Sequence, residues 1–432
     1  MSSGDSLPRS SGLSVSTRAS ISGSIAAGST SRLRRRRTCA NRNHPGPPVS
    51  YDVEALRARE FPWAARGEAL FLDHASTGPL PERTRRAMAD YGLRRAEPFR
   101  LRAEDLFPVL QRAREHAARL IGGPCQSIAL VTNTSHGVNI AARTLPFGAG
   151  DVVLSTQGEF PANVYPWLSA TRARGAEFCM VPLVGGLPDE PALMRAIETD
   201  PRVRGVALSW VSYWSGHRFD LAAIGAACRE RGIWFFVDAI QGVGAVELDV
   251  IAAQVDVLAC GAQKWLLSPW GTGFVYVRPE LVATLEPAEV GWMAQAGNTD
   301  FRSLLDYDPT WHADARRFEV VTLDFVNFAA MAESIGLFNE MGVHEIAAHV
   351  CSLADRAVAF AASHRDVELV TPVDRSRRAG VIALRPRDVA AASERLTDAG
   401  VAHAVREGCV RLAPHLYNTV SEMDRALALI AS

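Results

Sequence analysis

Covalent chemistry on a carbon centre needs a nucleophile, and this sequence offers one side-chain amine. Among its 46 Lys and Arg residues a single lysine occurs, Lys264; the others are all arginine. A guanidinium stays charged in a protein, whereas a lysine amine can be desolvated, deprotonated and used as a nucleophile. A GC-rich coding drift explains the loss of lysine, and such a drift spares a position where Arg cannot do the same work. Lys264 lies in CGAQKWLLSPWGTGFVYV (260–277), just after a strand that ends near Ala262. Trp265, Leu266 and Leu267 follow it, a setting that favours a neutral amine. A surface lysine past a strand end is the plainer alternative.

Three other stretches carry candidate chemistry. Asp238 closes the apolar run IWFFVDA (233–239), so its carboxylate emerges from a buried strand and needs a partner; Gln241 follows near the same edge. Gly242-Val-Gly244 imitates the start of a dinucleotide fingerprint, but position 247 is Glu247 and the third glycine is missing. In VTNTSHGVN (131–139), Thr134 and Ser135 stand where a strand gives way to a helix. Backbone N–H groups and hydroxyls at a helix start suit a phosphate, although ordinary capping explains them equally. Phe160, in EFPANVYPW (159–167), follows the next strand and could cover a flat ring or simply fill the core. Taken together, a lysine for a Schiff base, an aspartate for a pyridinium nitrogen, a helix start for a phosphate and an aromatic cover describe a site for pyridoxal 5'-phosphate.

The elements that must position these residues can be read from the hydrophobic pattern. Apolar runs at 127–132, 151–156, 203–211, 233–239, 256–262 and 273–277 alternate with helical stretches such as 220–231. Near-continuous apolar strands between helices predict an α/β fold with a mostly parallel sheet covered on both faces. Ligands in such sheets sit beyond the carboxyl ends of the strands, where every candidate residue falls. From about residue 325 the rhythm changes. A long helix over about 329–362, strands at 367–370, 381–385 and 409–413, and a last helix opened by a capping box at Thr419–Glu422 predict a smaller α+β domain. The domains expected are therefore 51–325, large and cofactor-binding, and 326–432. Residues 1–50 hold eight Arg, 13 Ser and no aromatic residue, and are expected to form a disordered tail. Its Arg34–Arg37 run could touch nucleic acid or act as a transit-like presequence, but a solvated tail is the simplest reading.

Several classes are excluded by composition. No apolar run reaches the roughly 18 residues that span a bilayer. The seven cysteines show no CxxC pair and no metal spacing, so a zinc site is not expected and a reducing, cytoplasmic setting is. The phosphate-loop lysine and the GxGxxG of nucleotide enzymes are both missing.

On these motifs the chain resembles the class V aminotransferase family of pyridoxal phosphate enzymes, fold type I, which includes cysteine desulfurases, kynureninase and isopenicillin N epimerase-like proteins. The resemblance covers roughly residues 68–432. It runs from FLDHASTGPLP (71–81) through TNTSHGVN, GDVVLSTQGEFPAN, VSYWSG (211–216), VDAIQ, QKWLLSPWGTGF and RFEVVTLD (317–324) to VRLAPHLYNT (410–419). It implies that Lys264 carries the cofactor and shuttles the Cα proton, and that Asp238 pairs with the pyridine nitrogen. Gln241 and Ser212 would lie near the ring hydroxyl, Thr134 and Ser135 would hold the phosphate, Phe160 would stack on the ring, and Gln263 would be a further cofactor-binding residue. Thr322 would reach the phosphate of a neighbouring subunit, which implies a homodimer, and Trp292 resembles a kynureninase tryptophan. Arg411 would clamp the α-carboxylate of a small amino acid, a fork that suits a carboxylate.

Departures from the pattern bear on the reaction. Gly261-Ala262-Gln263 replaces the Ser-x-His of desulfurases, and no Cys lies between Ser352 and Gly408 to act from a mobile loop. Kynureninases carry His and Tyr where Gln241 and Gln263 stand. The expected enzyme therefore performs transamination or C–S β-elimination, with an amino-acid epimerase as the alternative. A catalytically silent member that binds a partner through the basic tail is the remaining reading.

Overall fold

The computed structural model describes residues 51–431 apart from positions 300 and 303; the expected tail, 1–50, lies outside them. The main sheet has seven strands. They are β2 (Ile128–Val131), β3 (Val152–Thr156), β4 (Glu177–Val181), β7 (Val203–Ser209), β8 (Trp234–Asp238), β9 (Val257–Gly261) and β10 (Gly273–Val277), in the spatial order β2-β10-β9-β8-β7-β3-β4. Every pairing is parallel except those of β10, which runs antiparallel to both β2 and β9. Consequently β2, β3, β7, β8 and β9 all end at one edge. Residues of β2, β8, β9 and β10 are buried almost without exception, as strands covered on both faces require. β4 was not foreseen, because its sequence EFCMV carries its exposed Glu177 at an outer edge and reads as neither continuous nor alternating.

The smaller layer is a four-stranded sheet in the order β11 (Val367–Leu369), β12 (Ile382–Pro386), β15 (Cys409–Leu412) and β14 (Ala404–Arg406). The amino-terminal arm joins it. β1 (Leu70–Phe71) pairs in parallel with β13 (Val401–Ala402), and Asp73 bridges to Ala413. The pair β5 (Leu183–Val184) and β6 (Leu187–Pro188) forms a short hairpin beside the main sheet. The predicted capping box forms, with Thr419 N–H donating to Glu422 and Glu422 N–H donating to Thr419 Oγ1, at 3.0 and 3.2 Å.

The single long helix expected over 329–362 is two helices, Phe325–Met341 and Val343–Ser363. Gly342 separates them with φ at +84°, a conformation open to glycine and unfavourable for other residues. Periodicity could not show the break, since both segments are apolar. The first helix buries Phe328, Met331, Ile335 and Phe338 with the main core, whereas the second packs Leu353, Ala354 and Ala357 over the small sheet. The second helix begins in the main core, at Ile346 and Val350, and passes to the small core from Leu353 onward. Val343–Ser363 is long and apolar enough by composition to cross a membrane, but its apolar stripe is the lid of this small core.

One buried ion pair ties the segment before the first of these helices to the sheet. Arg114, on the Ala103–Leu120 helix, donates two bonds to Glu319 at 2.8 and 2.6 Å, and Glu319 also accepts the N–H of Leu130 on β2. Removing one partner leaves the other charge buried alone. Arg114→Met is therefore expected to lower stability by about 3–5 kcal/mol, read from the midpoint of urea unfolding, and Arg114→Met with Glu319→Leu by less.

Candidate functional site

The strand ends bring the sequence-predicted residues together. Asp238 is the last residue of β8 and is 2 % exposed. Its Oδ1 accepts the N–H of Ile240 at 3.0 Å, which fixes the carboxylate at the strand end. Burial pushes its pKa up to about 6, against the pull of the Ile240 bond and the nearby Lys264 charge. Lys264 follows β9 by three residues. Burial lowers its amine to about 8, and this outweighs the opposing influence of Asp238. The amine faces the ring of Phe160, with Nζ 5.5 Å from the ring centroid. Phe160 is 42 % exposed and meets Tyr213 edge-on, so it is a wall of the site rather than a core residue.

The lysine loop is held by close backbone contacts. Gly78 N–H donates to Gln263 O at 2.8 Å, and a Cβ on Gly78 would lie 2.3 Å from Lys264 O. Trp265 is fully buried and its Nε1 donates to Gln241 Oε1 at 2.7 Å. His415 Nε2 bonds Trp265 O at 2.8 Å. Gln241 Nε2 in turn donates to Ala75 O at 3.0 Å, so this side chain braces the lysine loop against the amino-terminal arm. The sequence suggested only that Gln241 lies near a ring.

The helix Thr134–Thr144 starts beside this loop. Its N-cap is Asn133, whose side chain accepts His136 N–H at 2.9 Å; Thr134 and Ser135, expected as possible caps, are its first two residues. Capping at His136 leaves the N–H groups of Thr134 and Ser135 without partners among the described residues. Thr134 Oγ1 accepts Gly261 N–H at 2.8 Å, whereas Ser135 is exposed. A Cβ on Gly261 would stand 2.6 Å from Gln263 Oε1 and 2.9 Å from Thr134 Oγ1, so a side chain there would push the Gln263 amide aside. Gln263 Oε1 is itself buried with no hydrogen-bond partner. Ser212 is buried at the turn after β7, with its Oγ accepting Ser215 N–H at 3.3 Å.

Arg411 reaches this edge from β15 and is 1 % exposed. It bonds Tyr213 O at 2.8 Å, Asp73 Oδ1 at 2.7 Å and Ser76 Oγ at 2.6 Å. Trp292 and Thr322 stay outside the cluster in the single chain. Both are exposed, and Trp292 meets the ring of Phe301. Sequence reasoning assigned no role to Asp73, Ser76 or Tyr213, which only the meeting of distant segments reveals. It also passed over Glu159, next to Phe160. Glu159 accepts Ser209 N–H at 2.6 Å and Asn163 Nδ2 at 3.3 Å, and burial raises its pKa to about 7.

Comparison with known proteins agrees with this geometry. The aminotransferase class-V family model matches residues 70–425. The chain belongs to the class V aminotransferase family. It is accordingly an enzyme of the pyridoxal phosphate type, with pyridoxal 5'-phosphate as its cofactor. A relative is the isopenicillin N epimerase of Streptomyces clavuligerus, 30 % identical over 384 residues, spanning 84 % of this chain and 95 % of that protein. Another is a probable cysteine desulfurase of Methanothermobacter thermautotrophicus, 31 % identical over 69 % of this chain and 74 % of the relative. Among solved structures, a cystine C–S lyase in complex with its product cysteine persulfide superposes with a TM-score of 0.77 at 20 % identity, covering 86 % of this chain and 99 % of that one. That likeness bears out the expected α/β fold.

The residues present fit the cofactor. Gln263 Oε1, buried without a partner on an amide that can turn to offer either oxygen or N–H₂, comes close to Thr134 at Gly261, where the helix begins with two unpaired N–H groups. Because Lys264 is the only lysine, its titration can be followed without ambiguity. In cofactor-free protein, its acylation rate, read by peptide mapping, is expected to rise through pH about 8 and not near 10.5. Asp238 raises that value, so Asp238→Asn is expected to move the curve to lower pH.

Proposed function

We propose that this enzyme acts on a small amino acid with a free α-carboxylate and moves its Cα proton with Lys264, leading to transamination or β-elimination with C–S cleavage. The observation that carries this reading is the desolvated Lys264 amine, held beside Asp238 and facing Phe160, with the Arg411 guanidinium at the same edge. Bound there, pyridoxal phosphate supplies an aldehyde for the amine and a ring that withdraws electrons from Cα.

Each protein group has a task in this scheme. Thr134 and Ser135 offer backbone N–H groups to the phosphate, with Gln263 beside them. Asp238 holds a proton at the ring nitrogen, and its burial makes that charge-assisted bond strong. Phe160 covers the ring and excludes water. Ser212 and the remaining N–H of Gln241 would hold the ring hydroxyl. Arg411 orients the α-carboxylate, and Lys264 takes and returns the Cα proton. An amine with a pKa of about 8 is poised for both transfers near neutral pH.

The cysteines speak against a persulfide-forming desulfurase. Cys409 is buried within β15, two residues from Arg411, and cannot swing toward a substrate. Epimerisation is the second reading, supported by the relative that is 30 % identical to this chain. The exposed Thr322 and Trp292 support a homodimer in which they complete the neighbour's site.

The purified protein is expected to be yellow and reducible by borohydride, and Lys264→Ala to lose both properties. A protein left colourless after incubation with pyridoxal phosphate would count against the assignment. Amino acids that change the spectrum are then assayed for keto acid, sulfur release or inversion, which separates the three outcomes. Arg411→Ala is expected to raise KM by roughly 100-fold, the scale of losing a bidentate carboxylate bond. Mixing Lys264→Ala and Thr322→Ala chains would restore some activity if the site is shared between subunits.

A further inference from the structure

The proposed carboxylate clamp already holds a carboxylate. Asp73 belongs to the amino-terminal arm, whose backbone bridges to Ala413 beside β15. Its Oδ1 accepts from Arg411 Nη2 at 2.7 Å, and Ser76 Oγ accepts from the same nitrogen at 2.6 Å. Ser76 Oγ also donates to Asp73 Oδ1 at 3.0 Å, so the three groups form one closed cluster. Nη1 donates to Tyr213 O at 2.8 Å, and Nε is buried without a partner.

The shape of a guanidinium gives this arrangement a consequence. Its two forks for a bidentate carboxylate are Nη1 with Nη2 and Nε with Nη2, and both include Nη2. Nη2 has two hydrogens and already serves two acceptors. An incoming carboxylate can take a single bond from Nε or Nη1, but a two-bond grip requires that Asp73 or Ser76 yield.

We propose that Asp73 is an internal competitor for Arg411: a substrate carboxylate gains its bidentate grip by displacing the Asp73 carboxylate from Nη2. This deepens the proposed function and rests on Arg411 being the carboxylate clamp. The buried guanidinium keeps a carboxylate partner throughout, while the displaced Asp73, partly open to solvent, retains its bond from Ser76. A neutral ester or amide offers no such exchange and leaves Asp73 in place. Asp73 thus sets the affinity of the site for a carboxylate, weakening its grip on an anion and leaving a neutral ligand untouched.

The test titrates the holoenzyme with propionate and with propionamide, followed by calorimetry. In Asp73→Asn, propionate is expected to bind about tenfold tighter, because a neutral amide competes less well for a guanidinium than a carboxylate does. Propionamide binding should stay within twofold of the wild type by about the same reasoning. Ser76→Ala, a smaller change that tests the same nitrogen, should tighten propionate by about threefold. Arg411→Ala should abolish propionate binding. Unchanged or weaker propionate binding in Asp73→Asn, with binding lost in Arg411→Ala, would mean that Asp73 orients the arginine, and would overturn the proposal. If Asp73→Asn does not fold, unchanged binding in Ser76→Ala overturns it instead. Propionate binding that survives in Arg411→Ala would overturn the clamp assignment itself.

Discussion

An ammonium taken out of water must stand beside a carboxylate or give up its proton, and the site is arranged around that constraint. Lys264 is buried deeply enough that its pKa falls to about 8 even with Asp238 near it. Asp238 is buried deeply enough that its own pKa climbs to about 6 even with Lys264 near it. Neither group fully neutralises the other, because desolvation is the larger influence on both. Beyond Lys264, Asp73 and Arg411 form a second opposed pair. The Arg411 charge adds to the lowering of the Lys264 amine, and Asp73 offsets part of it. Each buried charge thus has an opposite charge beside it.

Such a cluster needs backbone that can approach closely. The lysine loop is pressed between the arm at Gly78, the helix start at Thr134 and the bracing pair Trp265 and Gln241. At Gly78 and Gly261 even one added carbon would collide with the loop or its neighbours. His415 adds a further hold on the loop from the carboxyl-terminal layer. The small sheet, the arm and the main sheet thus converge on one tripeptide, Gln263-Lys264-Trp265.

The sheet was largely legible in the sequence. Six apolar runs became strands within about two residues of their expected bounds, because burial on both faces leaves continuous apolar sequence. β4 was not legible, since an edge strand carries no such signal. Nor was the break at Gly342, because a glycine between two apolar helical segments looks the same in sequence whether or not the chain turns there. Within the site, Lys264, Asp238, Thr134 and Phe160 could be nominated because each ends or follows an obvious strand. Trp292 and Thr322 could be nominated only by resemblance, and one chain by itself leaves them at the surface.

The sequence by itself determined that one amine exists for covalent chemistry, and that it lies at the carboxyl edge of a parallel sheet with an aspartate, a helix start and an aromatic ring. Those are local properties, set by residue type and by distance from a strand end. Only the tertiary structure decided what Arg411 touches. Asp73 and Ser76 lie more than three hundred residues from it along the chain, and their contact depends on the arm folding back beside β15. Tertiary packing likewise turned Gln241 from a nominal ring neighbour into a brace, since its partners Ala75 and Trp265 come from separate segments. Hydrogen bonds between distant segments leave no periodic trace in sequence, which is why the reactive lysine could be read there and the groups that hold its surroundings in place could not.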